Sequence, residues 1–93
     1  MAITIAIPGP LRPHAHGSAA VVIEPPCASV AEALAALGTR WPGVLDRVVT
    51  EQGELRQHVN VFVGEENSRD IGGLGAAVPD GCTITILAAV SGG

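Results

Sequence analysis

Ser29-Val30-Ala31-Glu32-Ala33-Leu34-Ala35-Ala36-Leu37-Gly38-Thr39-Arg40-Trp41 is the stretch on which the fold turns. Val30, Ala33, Leu34, Leu37 and Trp41 recur at spacings of three and four, which gathers them on one face of a helix. Ser29 and Glu32 stand in capping-box register: the hydroxyl can accept from the Glu32 amide while the carboxylate reaches back. The alanines raise helix propensity, and Pro42-Gly43 ends the run, with Gly38 as an earlier possible terminus. Residues 44–49 read as one further short helical turn. Trp41 belongs to the core or its edge rather than to a ligand platform.

Working outward, both flanks carry strand patterns. Ile3, Ile5 and Ile7 alternate with Thr4 and Ala6, the period of a half-buried strand. Residues 8–17 hold three prolines and two histidines and read as an irregular loop. Residues 19–24 form a second strand, Val21 and Ile23 on one face, and Pro25-Pro26 forbids its continuation. Beyond the helix, residues 57–63 set Val59, Val61 and Val63 against His58, Asn60 and Phe62, so both faces of this third strand are partly covered. Residues 64–70 read as a charged loop and Ile71-Gly72-Gly73-Leu74-Gly75 as tight turns. Pro79-Asp80-Gly81 is a strong turn signal. It leads into a last strand at residues 83–87, with Ile84 and Ile86 facing inward. Strands, one helix, then strands again is an α+β order in which the helix lies across one sheet face. Residues 1–93 make a single domain with no repeat or linker.

Composition removes several function classes. The net charge is −4, and the five arginines are scattered at 12, 40, 47, 56 and 69, which argues against nucleic acid or an anionic membrane as partner. Two aromatic residues, Trp41 and Phe62, build no stacking platform for bases. There is no lysine, hence no Schiff-base or Walker-type lysine. No apolar run approaches the roughly 18–20 residues of a membrane span, and the apolar start meets Pro8 too early for a signal peptide. The expected compartment is the cytoplasm, with Cys27 and Cys82 reduced, although one disulfide between them stays open.

Individual candidates are weaker than they look. His14 and His16 lack a third ligand of suitable spacing, so they read as solvated loop histidines and no metal site is expected. His58 has no nucleophile beside it. The Gly72-Gly73-Leu74-Gly75 run lacks the Lys-Ser/Thr of a phosphate loop, and turns needing positive φ explain it better. Cys27 reads as a small buried residue, Cys82 carries no assigned role, and Glu65, Glu66 and Asp70 read as a solvated loop. The C-terminus is different. Gly92-Gly93 closely follows a strand, where the thinnest possible backbone ends in a carboxylate without a neighbouring Cβ. Residues 90–93 can extend about 13 Å, enough to thread a narrow channel in another protein.

Taken together, these stretches resemble the ubiquitin-like sulfur-carrier proteins of the β-grasp fold. The resemblance runs through Leu11-Arg12-Pro13-His14, the helix, Leu55-Arg56, His58-Val59-Asn60-Val61-Phe62-Val63 and Glu65-Glu66. Gly72-Gly73-Leu74, Pro79-Asp80-Gly81, Ile84-Thr85-Ile86-Leu87 and Ala89-Val90-Ser91-Gly92-Gly93 complete it. Leu-Arg-Pro-His and Gly-Gly-Leu are nearest to carriers serving cysteine synthesis. The resemblance implies a mixed four- to five-stranded sheet under one main helix, with the last strand central and residues 88–93 as a flexible diglycine tail. It also implies a carrier rather than an enzyme. An E1-like activating enzyme spends ATP to adenylate Gly93, sulfur replaces the adenylate to give a thiocarboxylate, and a partner synthase uses that sulfur. Gly92 would enter the partner's channel, with Ser91, Val90 and Leu87 flanking the docking surface; no cofactor would bind this chain. Gly64, where such carriers often have Asn, and Ser91, where they have a small apolar residue or glycine, depart from the pattern, as does Asn67-Ser68-Arg69.

Two partners fit a carrier of this type: a pyridoxal-phosphate cysteine synthase, or the large subunit of molybdopterin synthase, of which this chain would be the small subunit. A non-covalent ubiquitin-like interaction module with an inert diglycine is the rival of another class. For a carrier, the absence of lysine acquires a meaning: the activated terminus has no side-chain amine of its own kind to acylate.

Overall fold

The alternating isoleucines form β1 (Ile3–Ala6), with Ile3 and Ile5 fully buried. The structure, a computed structural model, describes residues 2–24 and 28–88. The Pro25-Pro26 stop, Cys27 and the tail residues 89–93 lie outside the described residues. β2 (Ala20–Ile23) buries Val21 and Ile23, as its alternation predicts, and pairs antiparallel with β1. β3 (Val59–Val63) buries Val59 and Val61 and leaves Asn60, Phe62 and Val63 half-buried, so both faces are indeed partly covered. β5 (Thr83–Ala88) buries Ile84 and Ile86, one residue longer than expected. With the two-residue β4 (Glu66–Asn67), these make a five-stranded mixed sheet in the order β2-β1-β5-β3-β4.

β5 therefore occupies the centre, parallel to β1 through Ile5–Ile84 and antiparallel to β3 through Val61–Ile86. Helix α1 (Val30–Arg40) covers the inner face with Val30, Ala33, Leu34 and Leu37. Its N-terminus is a variant of the expected capping box. Ser29 Oγ accepts from Glu32 N at 3.2 Å, but the Glu32 carboxylate accepts from Ala28 N at 3.1 Å rather than from the Ser29 amide. The segment before the helix is also held by the sheetlike bridge Ser29–Ala77, with Val30 N donating to Ala76 O at 3.0 Å.

Pro42 stops α1 and starts the next helix. Proline pushes the preceding residue out of the helical region, and Trp41 accordingly sits at φ −136°, ψ 85°. At the first position of a new helix, however, proline has no amide to waste. The result is α2 (Pro42–Val48), a full seven-residue helix where one turn was expected, with Val44 and Val48 buried. Trp41 lies half-buried at the corner, against the core edge, with the Arg40 guanidinium 5.2 Å from its ring centroid.

Two loop expectations are corrected. Residues 8–17 contain a 3-10 helix, Gly9–Ala15, because proline's fixed φ suits helical turns and the segment buries Leu11 and Ala15. Arg12 Nε holds it to Ile7 O at 3.0 Å. The charged segment 64–70 is a hairpin: Gly64 at φ +62° turns the chain so that β4 pairs with Phe62 and Val63. It continues as the short 3-10 helix Ser68–Asp70, capped by the Asn67 side chain. The glycine run turns as expected, with Gly72 at φ +120° and Gly73 at φ +65°.

Gly38 does not end α1; it lets α2 approach. A Cβ there would overlap the Leu45 side chain and come within 3.0 Å of its Cβ. Gly38→Ala should therefore lower stability by about 1 kcal/mol in urea unfolding, because overpacking of roughly 2 kcal/mol outweighs a helix-propensity gain of about 1 kcal/mol. On a Leu45→Ala background the same substitution should stabilise; additive effects in that cycle would contradict the contact.

Candidate functional site

The face of the sheet away from α1 carries two exposed large apolar residues, Val22 and Leu87. Outward from β5 point Thr83, Thr85 and Leu87, and Leu87 keeps 48% of its surface exposed. Across the sheet Leu87 stands opposite Asn60, and Thr85 stands opposite Phe62. Val22, 54% exposed, lies on the same face at the β2 edge. Leu87, which the resemblance sets beside the docking surface, lies on this accessible face one residue before the end of the central strand. Val90, Ser91, Gly92 and Gly93 lie outside the described residues. The strand leading to them is well anchored: β1 holds residues 83–85 of β5, and β3 holds residues 84–88.

Beside Leu87 is a hydrogen-bond network that residue types alone did not announce. Arg69 Nη2 donates to the carbonyls of Arg56 and Val59, each at 2.8 Å, and its Nε donates to Asn60 Oδ1 at 3.2 Å. Asn67 Nδ2 donates to the same Oδ1 at 3.2 Å, while Asn67 Oδ1 accepts from Arg69 N at 3.0 Å. These bonds tie the hairpin and its 3-10 helix to the start of β3. The one signal in the sequence was Asn60 on the outward register of an otherwise valine-rich strand. Nearby, Ser68 is fully buried, and its Oγ has no hydrogen-bond partner among the described residues.

The remaining candidates stay apart. His14 and His16 fall in and just after the first 3-10 helix, and His58 is exposed ahead of β3. Among the described residues no group of three or more His, Cys, Asp or Glu side chains could hold a metal ion. Glu65, Glu66 and Asp70 are exposed around the hairpin. Cys82 is free and half-buried after the Pro79-Asp80-Gly81 turn, where Cys82 N donates to Pro79 O at 3.2 Å. Burial pushes its thiol above the ordinary 9.0, and a hydrogen bond from the backbone offsets this only in part. Among the described residues, no helix is long and apolar enough to cross a membrane.

This mixed sheet with a central C-terminal strand and a helix across it defines a β-grasp, ubiquitin-like protein. Its relatives narrow the class. The ThiS family profile matches residues 5–93. The sulfur carrier protein CysO of Mycobacterium tuberculosis is 35% identical over 95 residues, spanning the whole of both chains. Among solved structures, a chain of the Amycolatopsis orientalis BexX/CysO complex aligns with TM-score 0.87 and 42% identity, covering 98% of this chain and 99% of that one. SAMP1 of Haloferax volcanii aligns with TM-score 0.83 and 31% identity over the full length of both chains. The chain belongs to the ThiS family. It is a ubiquitin-like sulfur carrier, acting with partner enzymes rather than as a catalyst itself.

The raised Cys82 thiol gives a pH-dependent prediction. Because its folded value lies above the unfolded one, the thiol's contribution to stability is full below 9.0 and is lost as pH rises through the raised value. In a Cys27→Ser variant, alkylation of Cys82 by iodoacetamide near its ordinary pKa should run slower in the native protein than in urea. A faster native reaction would contradict the environment described.

Proposed function

We propose that this chain carries sulfur as a thiocarboxylate on Gly93 and delivers it, in the cytoplasm, to a pyridoxal-phosphate synthase making cysteine or a related sulfur metabolite. The observation that carries the reading is the central strand β5, bonded on both sides and running directly into residues 89–93. A reactive atom five residues past a rigid strand has a fixed origin and a slender path. Full-length likeness to a protein named as a sulfur carrier supports the same chemistry.

A carboxylate resists nucleophiles because its charge is spread over two oxygens. An E1-like activating enzyme removes that protection: a Gly93 oxygen attacks the α-phosphorus of ATP, pyrophosphate leaves, and an acyl adenylate forms. A sulfur nucleophile then attacks the acyl carbon, and AMP departs with the former carboxylate oxygen. The resulting thiocarboxylate is soft and nucleophilic, and the synthase supplies the pocket in which it reacts. This chain's task is placement, the entropic share of catalysis. Gly92 keeps the end narrow enough for a channel, Ser91 and Val90 follow it inward, and Leu87 docks on the rim. The complex containing a CysO chain supports the presence of a partner enzyme for such a carrier. The chain itself binds no cofactor in this scheme; ATP and pyridoxal phosphate belong to the partners.

Incubation with ATP, a sulfide source and the activating enzyme of the source organism should shift the intact mass by the oxygen-to-sulfur difference. Deleting Gly93 should abolish the shift and leave thermal unfolding unchanged. A wild-type chain that never gains the difference, or a deletion that still gains it, would sink the proposal.

A further inference from the structure

We propose that β2 is a self-pairing edge, through which two copies of this chain join antiparallel along Ala20–Glu24, centred on Val22, to make one continuous sheet. This pairing is independent of the carrier reading, because β1 lies between β2 and β5.

The direction in which the β2 main chain faces follows from one hydrogen bond. Ile7 N donates to Ala19 O at 2.8 Å, and these two residues continue the β1–β2 register. In an antiparallel ladder, opposed residues alternate between pairs that exchange hydrogen bonds and pairs that exchange none. Ile5–Val21 and Ile3–Ile23 are therefore bonded pairs, and Ala20 and Val22 turn their N–H and C=O groups away from β1. Glu24 continues that outward set. β2 ends the sheet on this side, so among the described residues no strand lies opposite these groups. Ala20, Val22 and Glu24 are all exposed, Val22 at 54%.

The two edges of the sheet are unlike. β4 has only two residues, follows Glu65, contains Glu66 and turns at once into a 3-10 helix. Shortness and charge are the usual means by which a protein blunts an edge. Ala20–Ile23 has neither a charge nor a proline, and its large exposed side chain is a valine. A bare edge of this kind accepts an extended strand, and the β2 edge is complementary to itself. About a two-fold axis through Val22, each Val22 faces its own counterpart, and each Ala20 faces the Glu24 of the other copy. These pairs exchange about six main-chain hydrogen bonds. On the inner face Val21 meets the Ile23 of the other copy, which carries the apolar core across the seam. The two Glu24 carboxylates stand roughly 13 Å apart at about 3.3 Å per residue, beyond the screening length of about 8 Å. Growth stops at two copies, since both outer edges of the pair are then the protected β4. The β5 strands of the two copies run in opposite directions, one at each side of the seam.

Sedimentation equilibrium of the full chain, from about 10 µM to about 1 mM, tests this. The average mass should rise with concentration from the 9.4 kDa of one chain towards twice that value. Val22→Lys sets two cations against each other at the centre of the seam, and Ala20→Pro removes an outward N–H without touching the β1 ladder. Each should weaken the dimer tenfold or more and leave the melting temperature of the dilute monomer unchanged. Should either variant lose stability, Val22→Cys in a Cys27→Ser, Cys82→Ser background provides a second measurement. Cα atoms of a bonded antiparallel pair lie about 5.5 Å apart, within disulfide reach. Mild oxidation should therefore link Val22→Cys chains much faster than Glu66→Cys chains, whose cysteine lies on the opposite edge. A chain that stays monomeric to about 1 mM would overturn the proposal. So would a dimer that Val22→Lys weakens less than threefold, or equal oxidation rates at the two edges.

Discussion

The parallel pairing of β5 with β1, Ile5 beside Ile84, is the contact around which the rest of the molecule is arranged. Parallel neighbours cannot be joined by a tight turn; the chain must leave the sheet, cross one face and return. Helices α1 and α2 occupy that crossing and cover the buried isoleucines and valines as they do so. Antiparallel neighbours then close both sides, β2 against β1 and β3 against β5. The last strand ends up flanked on both edges. In the carrier reading proposed above, the reactive end follows in sequence from the strand bonded to neighbours on both edges.

The same arrangement divides the two sheet faces. The inner face is spent on stability, with Ile3 and Ile5 of β1 and Ile84 and Ile86 of β5 buried. The outer face is left open, and its apolar content is modest: Val22, Phe62 and Leu87 rather than a continuous slick. Arg69 compensates for the weakness of a two-residue β4 by stitching the hairpin to β3 through three acceptors. A structural bond set of this kind also orients whatever it touches, and the side chain it touches on the outer face is Asn60.

Much of the fold was legible in the residues, because burial imposes a period. Ile3, Ile5, Val21, Ile23, Val59, Val61, Ile84 and Ile86 are buried where alternation placed them, and Val30, Ala33, Leu34 and Leu37 are buried where helical spacing did. The loops were less legible because proline and glycine say that a chain turns without saying into what. Three prolines were compatible with an irregular loop and with the observed 3-10 helix, and only the burial of Leu11 and Ala15 decides between them. Pro42 was read as a stop when it is a stop and a start. At the site, Leu87 entered only through the resemblance, and the hydrogen-bond network of Asn60, Asn67 and Arg69 was not foreseen. Their roles depend on distances between segments that no local pattern encodes.

The sequence by itself determined the main helix, the four longer strands with their inward residues, and the diglycine end, since each follows from spacing along the chain. Only the tertiary structure decided that the last strand lies between the first and third, that Gly38 is there to admit Leu45, and that Asn60 Oδ1 accepts from both Asn67 and Arg69. Those are properties of residues far apart in the chain, and they exist only once loop closure has brought the segments together and donors have found their acceptors.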